Sequence, residues 1–221
     1  MTILSYVTVW VGSRNQLQSS VKFHTELKIA GMHLPPVQSL KIIGVMLNSQ
    51  HSFNNHVTDV CRAVNFHLRG LSHIRRYLDV STANMLDTSI VSSRIDYCNS
   101  LLFGLSDYNV QRLQRVQNLA AKIVLNVRGR VSSAPLLQQL HWLPVSNRII
   151  YKIALTTFKT LTTQRPEYLS SLLVPYSTPC SLRSSSQHLL SVPFSKTVFQ
   201  SRAFSICAPK IWNRLPQHLC N

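Results

Sequence analysis

Acidic residues are scarce in this sequence, which contains 7 Asp and Glu against 23 Lys and Arg among 221 residues. The formal net charge is +16 at pH 7. Because like charges oppose compaction, so large an excess favours a polyanionic partner. We therefore expect nucleic acid as the partner, and we rank an anionic membrane surface behind it.

Signals of several other protein classes are missing as well. No run reaches the roughly 18 apolar residues that span a bilayer, and the apolar start at residues 1–12 lacks a basic leader and a cleavage site. We expect no membrane segment, no signal peptide and an intracellular location, in the cytoplasm or nucleus. The 6 glycines form no phosphate loop, and the 5 cysteines contain no C-x-x-C pair. We therefore expect no metal site, no cofactor and no small-molecule substrate.

The N-terminal part of the sequence is typical of β-strands. Residues 21–30 partly alternate in polarity, and residues 39–47 form an apolar run of strand length. We therefore predict a β-hairpin over about residues 21–47. Gly44 lies inside the second of these runs, where a glycine indicates a bulge or the close approach of another backbone.

From Ser52 onward the apolar period changes from two to about three and a half, which indicates helices. Ser52 and Ser106 are candidate N-caps, and Pro166 ends the last long helix. The main helices are predicted over about residues 52–78, 81–102, 106–127 and 146–162. The apolar share of 45% is enough for a buried core. We expect a mainly α-helical fold with a β-hairpin at 1–50, a helical bundle at 51–130 and a helical, irregular C-terminal region at 131–221.

The helical apolar pattern predicts which residues face the core. Trp142 and Trp212 are interpreted as core, although His141 and Trp142 also suit stacking on nucleic-acid bases. In the fourth helix the inward residues are Ile149, Ile150, Ile153 and Phe158. In the first helix the predicted stripe is Val57, Val60, Cys61, Val64, Leu68, Leu71, Ile74 and Leu78.

Basic residues recur at helical spacing away from these apolar positions. One row repeats every seven residues in the first helix. A second group lies within the third helix, and two arginines come after that helix ends. Each group is either a solvated helix face or a set of phosphate contacts. The candidate nucleic-acid-binding residues are Arg62, Arg69, Arg76, Arg112, Arg115, Lys122, Arg128 and Arg130.

Seven blocks of the sequence, in order and at matching spacing, resemble the C-terminal region of LINE-type (non-LTR) retrotransposon reverse transcriptases. VGSRNQL at 11–17 is also similar to the segment before that family's primer-grip hairpin. The blocks are SLKIIGVMLNSQHSF (39–53), HIRRYLDVSTA (73–83), SRIDYCNSLLFGL (93–105), RLQRVQNLAAKIV (112–124), LHWLPVSNRIIYKI (140–153), PEYLSSLLVPY (166–176) and RAFSICAPKIWNRLP (202–216).

The resemblance implies a primer grip with Gly44 and Val45 near its tip, followed by thumb helices that close over the template–primer duplex. The family's palm holds two metal ions with aspartates, one of them in an Asp-Asp box. This sequence has no adjacent Asp-Asp pair, and Asp96-Tyr97 matches a helix after the palm. We therefore expect a fragment without catalysis, because the magnesium ions would belong to the missing palm.

The expected role is to clamp RNA or an RNA–DNA hybrid without sequence specificity. Three alternatives stay open. The chain could be a domesticated stand-alone nucleic-acid-binding module, or a translated relic without function whose exposed apolar surface favours aggregation. It could also be a basic ribosomal or organellar protein, which the seven blocks disfavour.

Overall fold

The computed structural model describes residues 37–177 and 189–216, together with the backbone of two short strands at 27–29 and 32–34. Within these residues the protein is mainly helical, with β-strands at the N-terminal end and short irregular elements in the C-terminal part. This confirms the predicted fold class. The segments at 11–17 and 181–186, and the prediction of a strand from residue 21, lie outside the described residues. In the described part of the chain, no helix has both the length and the apolarity to cross a membrane.

Two antiparallel hairpins replace the single hairpin that was predicted over residues 21–47. In the first, β1 (Leu27–Ile29) pairs with β2 (Met32–Leu34). In the second, β3 (Ser39–Ile42) pairs with β4 (Val45–Asn48). The second hairpin therefore divides the run that was predicted as one strand.

Gly44 is the reason for this division. It has φ of +78°, and Ile43 before it has φ of +45°. Two consecutive residues with positive φ form the tight turn that matches the twist of a two-residue hairpin, and glycine adopts this conformation without a steric penalty. The prediction of a bulge at Gly44 was wrong, because the glycine forms the turn itself.

The helical part begins with α1 (Asn54–Ile74), which continues as a 3₁₀ turn. Ser52 is not its N-cap, since the capping position is Phe53 and Ser52 bonds instead to the side chain of Asn48. The other helices are α2 (Val80–Leu86), α3 (Ser93–Asp96), α4 (Asp107–Val124), α5 (Ser133–Gln139), α6 (Val145–Thr163), α7 (Glu167–Ser170) and α8 (Phe204–Trp212).

The helix predicted over 81–102 is interrupted. Residues Asp87–Ser92 form a π-helical segment between α2 and α3, and Cys98 has a left-handed backbone with φ of +52°. A 3₁₀ turn at Asn99–Leu102 then completes the segment. Because a π-segment adds a residue to the turn, it rotates the side chains after it relative to a regular helix. It thereby changes which residues of α3 face the core.

The main hydrophobic core combines β4 with α1, α4, α6 and α8, and so draws on all three predicted segments. A smaller apolar cluster lies around Val124 and Leu137. Trp142 is partly buried against this cluster and the main core, and Trp212 is buried in the main core, which confirms both as core residues. Ile150 and Phe158, in contrast, are exposed, as is Ile74 at the end of α1. In α6 the buried line instead passes through Val145, Ile149, Ile153, Thr157 and Thr160.

Candidate nucleic-acid interface

Helices α1 and α4 lie side by side and run in the same direction. Near their N-terminal ends, Asn109 Nδ2 donates a hydrogen bond to Asn54 Oδ1 at 2.6 Å. One turn further along, Arg112 Nη2 donates to Thr58 Oγ1 at 2.9 Å. At the other end Arg75 reaches the last carbonyls of α4. Residues on the adjoining edges of the two helices therefore lie at matching heights.

The arginine row of α1 follows the edge that adjoins α4. Thr58 marks this edge, since it bonds across to α4. Residues spaced by alternating steps of three and four share one side of a helix, so Arg62, Arg69, Ser72 and Arg76 continue the line of Thr58. All three arginines of the row are exposed.

The basic residues of α4 lie on the solvent side of the same junction. Arg115 is exposed, whereas Arg112 and Lys122 are partly buried. The Arg112 guanidinium lies 5.5 Å from the centre of the Tyr108 ring. Lys122 Nζ lies 3.4 Å from the carbonyl oxygen of Gly129. The structure thus brings the α1 and α4 groups together on one face, here called the basic face.

The two groups meet again near the C-terminal ends of the helices. A recess of about 340 Å³ there is lined by Ser72 and Arg75 from one side and by Lys122, Asn126 and Arg128 from the other. The exposed Arg128 thereby joins the basic face. Arg130 is exposed in the loop that follows, without any contact that ties it to the two rows.

Little negative charge offsets this face. Arg62 pairs with Asp59 at 3.1 Å, and both side chains are more than half exposed. In the described residues this is the one ion pair made by the eight candidate cations. The guanidinium of Arg76 stacks over the Tyr77 ring at 4.6 Å, which orders the side chain without neutralising it. The face therefore presents a largely uncompensated positive charge.

Arg75 was not predicted as a functional residue from the sequence, and its role differs from that of the cations in the two rows. It is 7% exposed. Its Nε and Nη2 donate to the carbonyl oxygen of Val124 at 2.9 and 2.7 Å, Nε also donates to that of Ile123, and Nη1 donates to that of Leu78. Arg75 caps the C-terminus of α4, where a cation suits the helix dipole. It fixes the junction on which the basic face depends.

The primer-grip-like residues lie at the turn between β3 and β4. The Tyr97 hydroxyl donates to the carbonyl oxygen of Ile43 at 2.7 Å. A Cβ atom on Gly44 would approach the Tyr97 ring to 3.3 Å. Val45 is buried in the main core, whereas Ile43 is 82% exposed. The turn is thus held on the helical part with an apolar side chain pointing outward.

A second bond ties this hairpin to α1. The backbone N–H of Met46 lies 3.5 Å from Nδ1 of the buried His56, which accepts from it. Burial lowers the pKa of His56, and the nearby carboxylate of Asp59 offsets this only in part. A neutral imidazole keeps its acceptor nitrogen, so the bond to the hairpin persists at physiological pH.

The carboxylates of the chain do not form a magnesium site in the described residues. Asp96 pairs with Arg148 at 2.9 Å. Asp87 is buried and accepts a bond from Ser92 Oγ at 3.0 Å. Within residues 37–177 and 189–216, no three His, Cys, Asp or Glu side chains are grouped as a metal site requires.

Neither a protein-family model, nor a curated protein, nor a solved structure matches this chain. Its function is therefore inferred from its own residues. Two parallel basic helix edges with exposed guanidinium groups suit the binding of phosphates, which accept bidentate hydrogen bonds from arginine. Such contacts fix a nucleic-acid backbone and carry no base specificity.

Proposed function

We propose that this chain is a clamp for nucleic acid that binds RNA or an RNA–DNA hybrid without sequence specificity. The supporting observation is the basic face, in which two cationic groups from distant parts of the sequence adjoin along two parallel helices. The role matches that of a reverse-transcriptase thumb, to which the sequence blocks bear resemblance. The chain contributes binding in this role, and catalysis belongs to a palm with its own metal-binding aspartates.

The spacing of the cations suits a polyanion. Seven residues of α-helix rise about 10.5 Å, so Arg62, Arg69 and Arg76 are separated by about that distance along α1. Packed helices have axes about 8–10 Å apart, which sets the separation of the two rows. A duplex carries one phosphate per about 1.7 Å of axis, so each cation can reach a different phosphate. From Arg62 to Arg76 the face thus follows the backbone over about 21 Å, which is about four turns of α1.

Non-specific binding follows from the chemistry of the face. Its cations are guanidinium and ammonium groups, and the one carboxylate that pairs with them is Asp59 in the described residues. Phosphates are the same at every nucleotide, so these cations cannot distinguish sequences. We expect affinities for hybrids of unrelated sequence to agree within about threefold, since one readable base contact would contribute about 1–3 kcal/mol of discrimination.

The test compares three variants in fluorescence-anisotropy titrations with a labelled RNA–DNA hybrid. Arg62→Ala/Arg69→Ala/Arg76→Ala removes the α1 row, and Arg115→Ala/Lys122→Ala thins the α4 group. Both should weaken binding by about tenfold or more, because each lost phosphate contact reduces the number of counterions released.

The control variant removes three exposed cations that lie outside the basic face, Lys159, Arg165 and Lys196. It changes the net charge by the same amount as the α1 variant. We expect its affinity to stay within about threefold of the wild type, as general screening predicts for distant charges. Equal weakening by the control and the α1 variant would show that net charge alone drives binding, and the proposal of a clamp would fail.

A further inference from the structure

A second candidate binding site lies away from the basic face. It is a cavity of about 450 Å³ between α6 and the segment that contains α3. Gln117, which is about 200° around α4 from Arg115, donates to the carbonyl oxygen of Leu143 on the rim of this cavity at 2.9 Å. The cavity therefore opens on the opposite side of α4. Its volume is within the roughly 300–1,000 Å³ of small-molecule sites.

The walls of the cavity carry aromatic rings and a free cation. Trp142 lines one side and is held in place by the core, and Tyr151 lines another with 57% of its surface exposed. Lys152 follows Tyr151 and is exposed. Flat rings suit the stacking of a nucleobase. An ammonium group beside the rings suits a phosphate.

The floor of the cavity, which Asp96, Asn99 and Arg148 line, offers a hydrogen-bond acceptor. Arg148 Nη1 donates to Asp96 Oδ2 at 2.9 Å, and Asn99 Nδ2 donates to Asp96 Oδ1 at 3.3 Å. Each carboxylate oxygen accepts two bonds, so Asp96 keeps acceptor capacity after these contacts. Its side chain is 43% exposed, which leaves it open to a ligand.

One buried acceptor of a residue that lines the cavity has no partner. It is Oδ1 of Asn99. Buried polar groups in folded proteins are nearly always hydrogen-bonded, so such orphans need an explanation. A donor-bearing ligand that displaces or orders water at this floor supplies one.

We propose that this cavity binds a nucleotide whose base carries an exocyclic amine. The base stacks between Trp142 and Tyr151, its amine donates to Asp96, and its phosphate meets Lys152. The choice of a nucleotide rests on the proposed function, because the cavity residues alone select only an aromatic anion that carries an amine. The nucleotide is free, or it is an unpaired base of a bound single strand.

The experiment uses a matched ligand pair. Cytidine and uridine 5′-monophosphate differ at C4, where cytosine carries an amine and uracil a carbonyl oxygen, and at the adjacent N3, which carries a hydrogen only in uracil. Isothermal titration of the full chain should give at least about tenfold tighter binding for the cytidine nucleotide, because its amine donates a hydrogen bond to a charged acceptor and the carbonyl oxygen of uracil cannot. Four-residue oligomers of each nucleotide form the second arm. Binding of the oligomer alone identifies the single strand as the source of the base.

Matched variants separate the cavity from general charge and folding effects. Lys152→Glu and Tyr151→Leu should each weaken cytidine nucleotide binding by about tenfold. Two control variants make the same changes at exposed positions outside the cavity. They are Lys159→Glu, about two turns further along α6, and Tyr176→Leu. Binding that is equal for both nucleotides, that is absent for both probes, or that falls equally in the Lys159 control would overturn the proposal.

The two proposals fail separately. The triple variant of Arg62, Arg69 and Arg76 should lose affinity for the RNA–DNA hybrid and keep the affinity of the wild type for the cytidine nucleotide. Hybrid binding without nucleotide binding would refute the cavity proposal alone. Nucleotide binding without hybrid binding would refute the clamp alone.

Discussion

Replacing Asp87 with asparagine should remove a pH dependence from the stability of the fold. Asp87 has no exposed surface, and it lies at the start of the π-helical segment between α2 and α3. One of its oxygens accepts from Ser92 Oγ, and the other has no hydrogen-bond partner. Burial raises the pKa of this carboxyl from 3.8 to about 6, although Ser92 and the positive charge of Arg148 act in the opposite direction.

The sign and size of the effect follow from this shift. Below about pH 4 the carboxyl is protonated in both the folded and unfolded states, so the shift has no effect on stability. Between about pH 4 and 6 the folded protein holds a proton that the unfolded chain releases, and stability falls as the pH rises. Above about pH 6 the full cost applies. At about 1.4 kcal/mol per pH unit, it amounts to about 3 kcal/mol.

The measurement is urea unfolding of the wild type and Asp87→Asn at pH 4 and pH 7.5. The variant should be stabilised relative to the wild type by about 2–2.5 kcal/mol more at pH 7.5 than at pH 4, because the unfolded carboxyl is already partly ionised at pH 4. Taking the difference between the two pH values cancels effects of the substitution that do not depend on pH, such as a changed bond to Ser92.

The control is Asp79→Asn at the start of α2. A hydrogen bond from Thr82 lowers the pKa of Asp79, and this carboxyl is fully exposed. Because its shift has the opposite sign, the control should gain nothing at pH 7.5. An Asp87→Asn variant whose stability follows the pH dependence of the wild type would contradict the reasoning.

Two further variants test the parts that hold the basic face and the hairpin. Arg75→Met should lower the free energy of unfolding by about 2–4 kcal/mol in urea titrations, since the buried carbonyl oxygen of Val124 loses its two donors. Arg76→Met at the exposed neighbouring position should change it by less than about 1 kcal/mol. Equal effects would refute the capping role of Arg75. Gly44→Ala should destabilise the fold by about 1–2 kcal/mol, because alanine at positive φ is strained and its Cβ would press on Tyr97. Gly70→Ala within α1 should stabilise the fold by about 0.5–1 kcal/mol, because the added Cβ meets no neighbour. Thermal melts that give both glycine variants the same sign would contradict this account of the turn.

The helices of the basic face were predictable because their apolar period is regular. The stripe through Val57, Cys61, Val64 and Leu68 is buried as expected, and α4 begins directly after Ser106 as predicted. A regular stripe works as a signal because it is the part of the helix that removes apolar surface from water. Once the buried stripe is assigned, the arginines at the other positions of the helix are predicted to face solvent.

Other features depend on contacts between distant residues, which local periodicity does not encode. Arg75 occupies the next position of the buried stripe after Leu71, so its spacing was a usable signal of burial. Nothing in the sequence, however, identifies the carbonyls of Val124 as its partners. In the same way, the adjacency of the α1 and α4 rows depends on tertiary packing.

The π-segment and the hairpin turn were missed for local reasons. A π-segment has no distinctive composition, and the run from Asp87 to Ser92 contains no Gly or Pro that would mark an interruption. At Gly44 the sequence indicated a bulge or the close approach of another backbone, and the resemblance placed this glycine near the tip of a hairpin. The apolar Ile43 disfavoured a turn, since β-branched residues rarely adopt positive φ. The bond from Tyr97 to the carbonyl of Ile43, which comes from a residue 54 positions away, helps to hold the strained conformation.

The salt dependence of binding to an RNA–DNA hybrid tests the proposed clamp most directly. If five or six phosphates are neutralised by the basic face, log K should fall linearly with log salt concentration, with a slope of about −4 to −5. Removing Arg62, Arg69 and Arg76 together should make the slope about three units less steep, and removing the distant cations Lys159, Arg165 and Lys196 should leave it unchanged. A slope near zero, or a slope that the two triple variants reduce equally, would contradict the account.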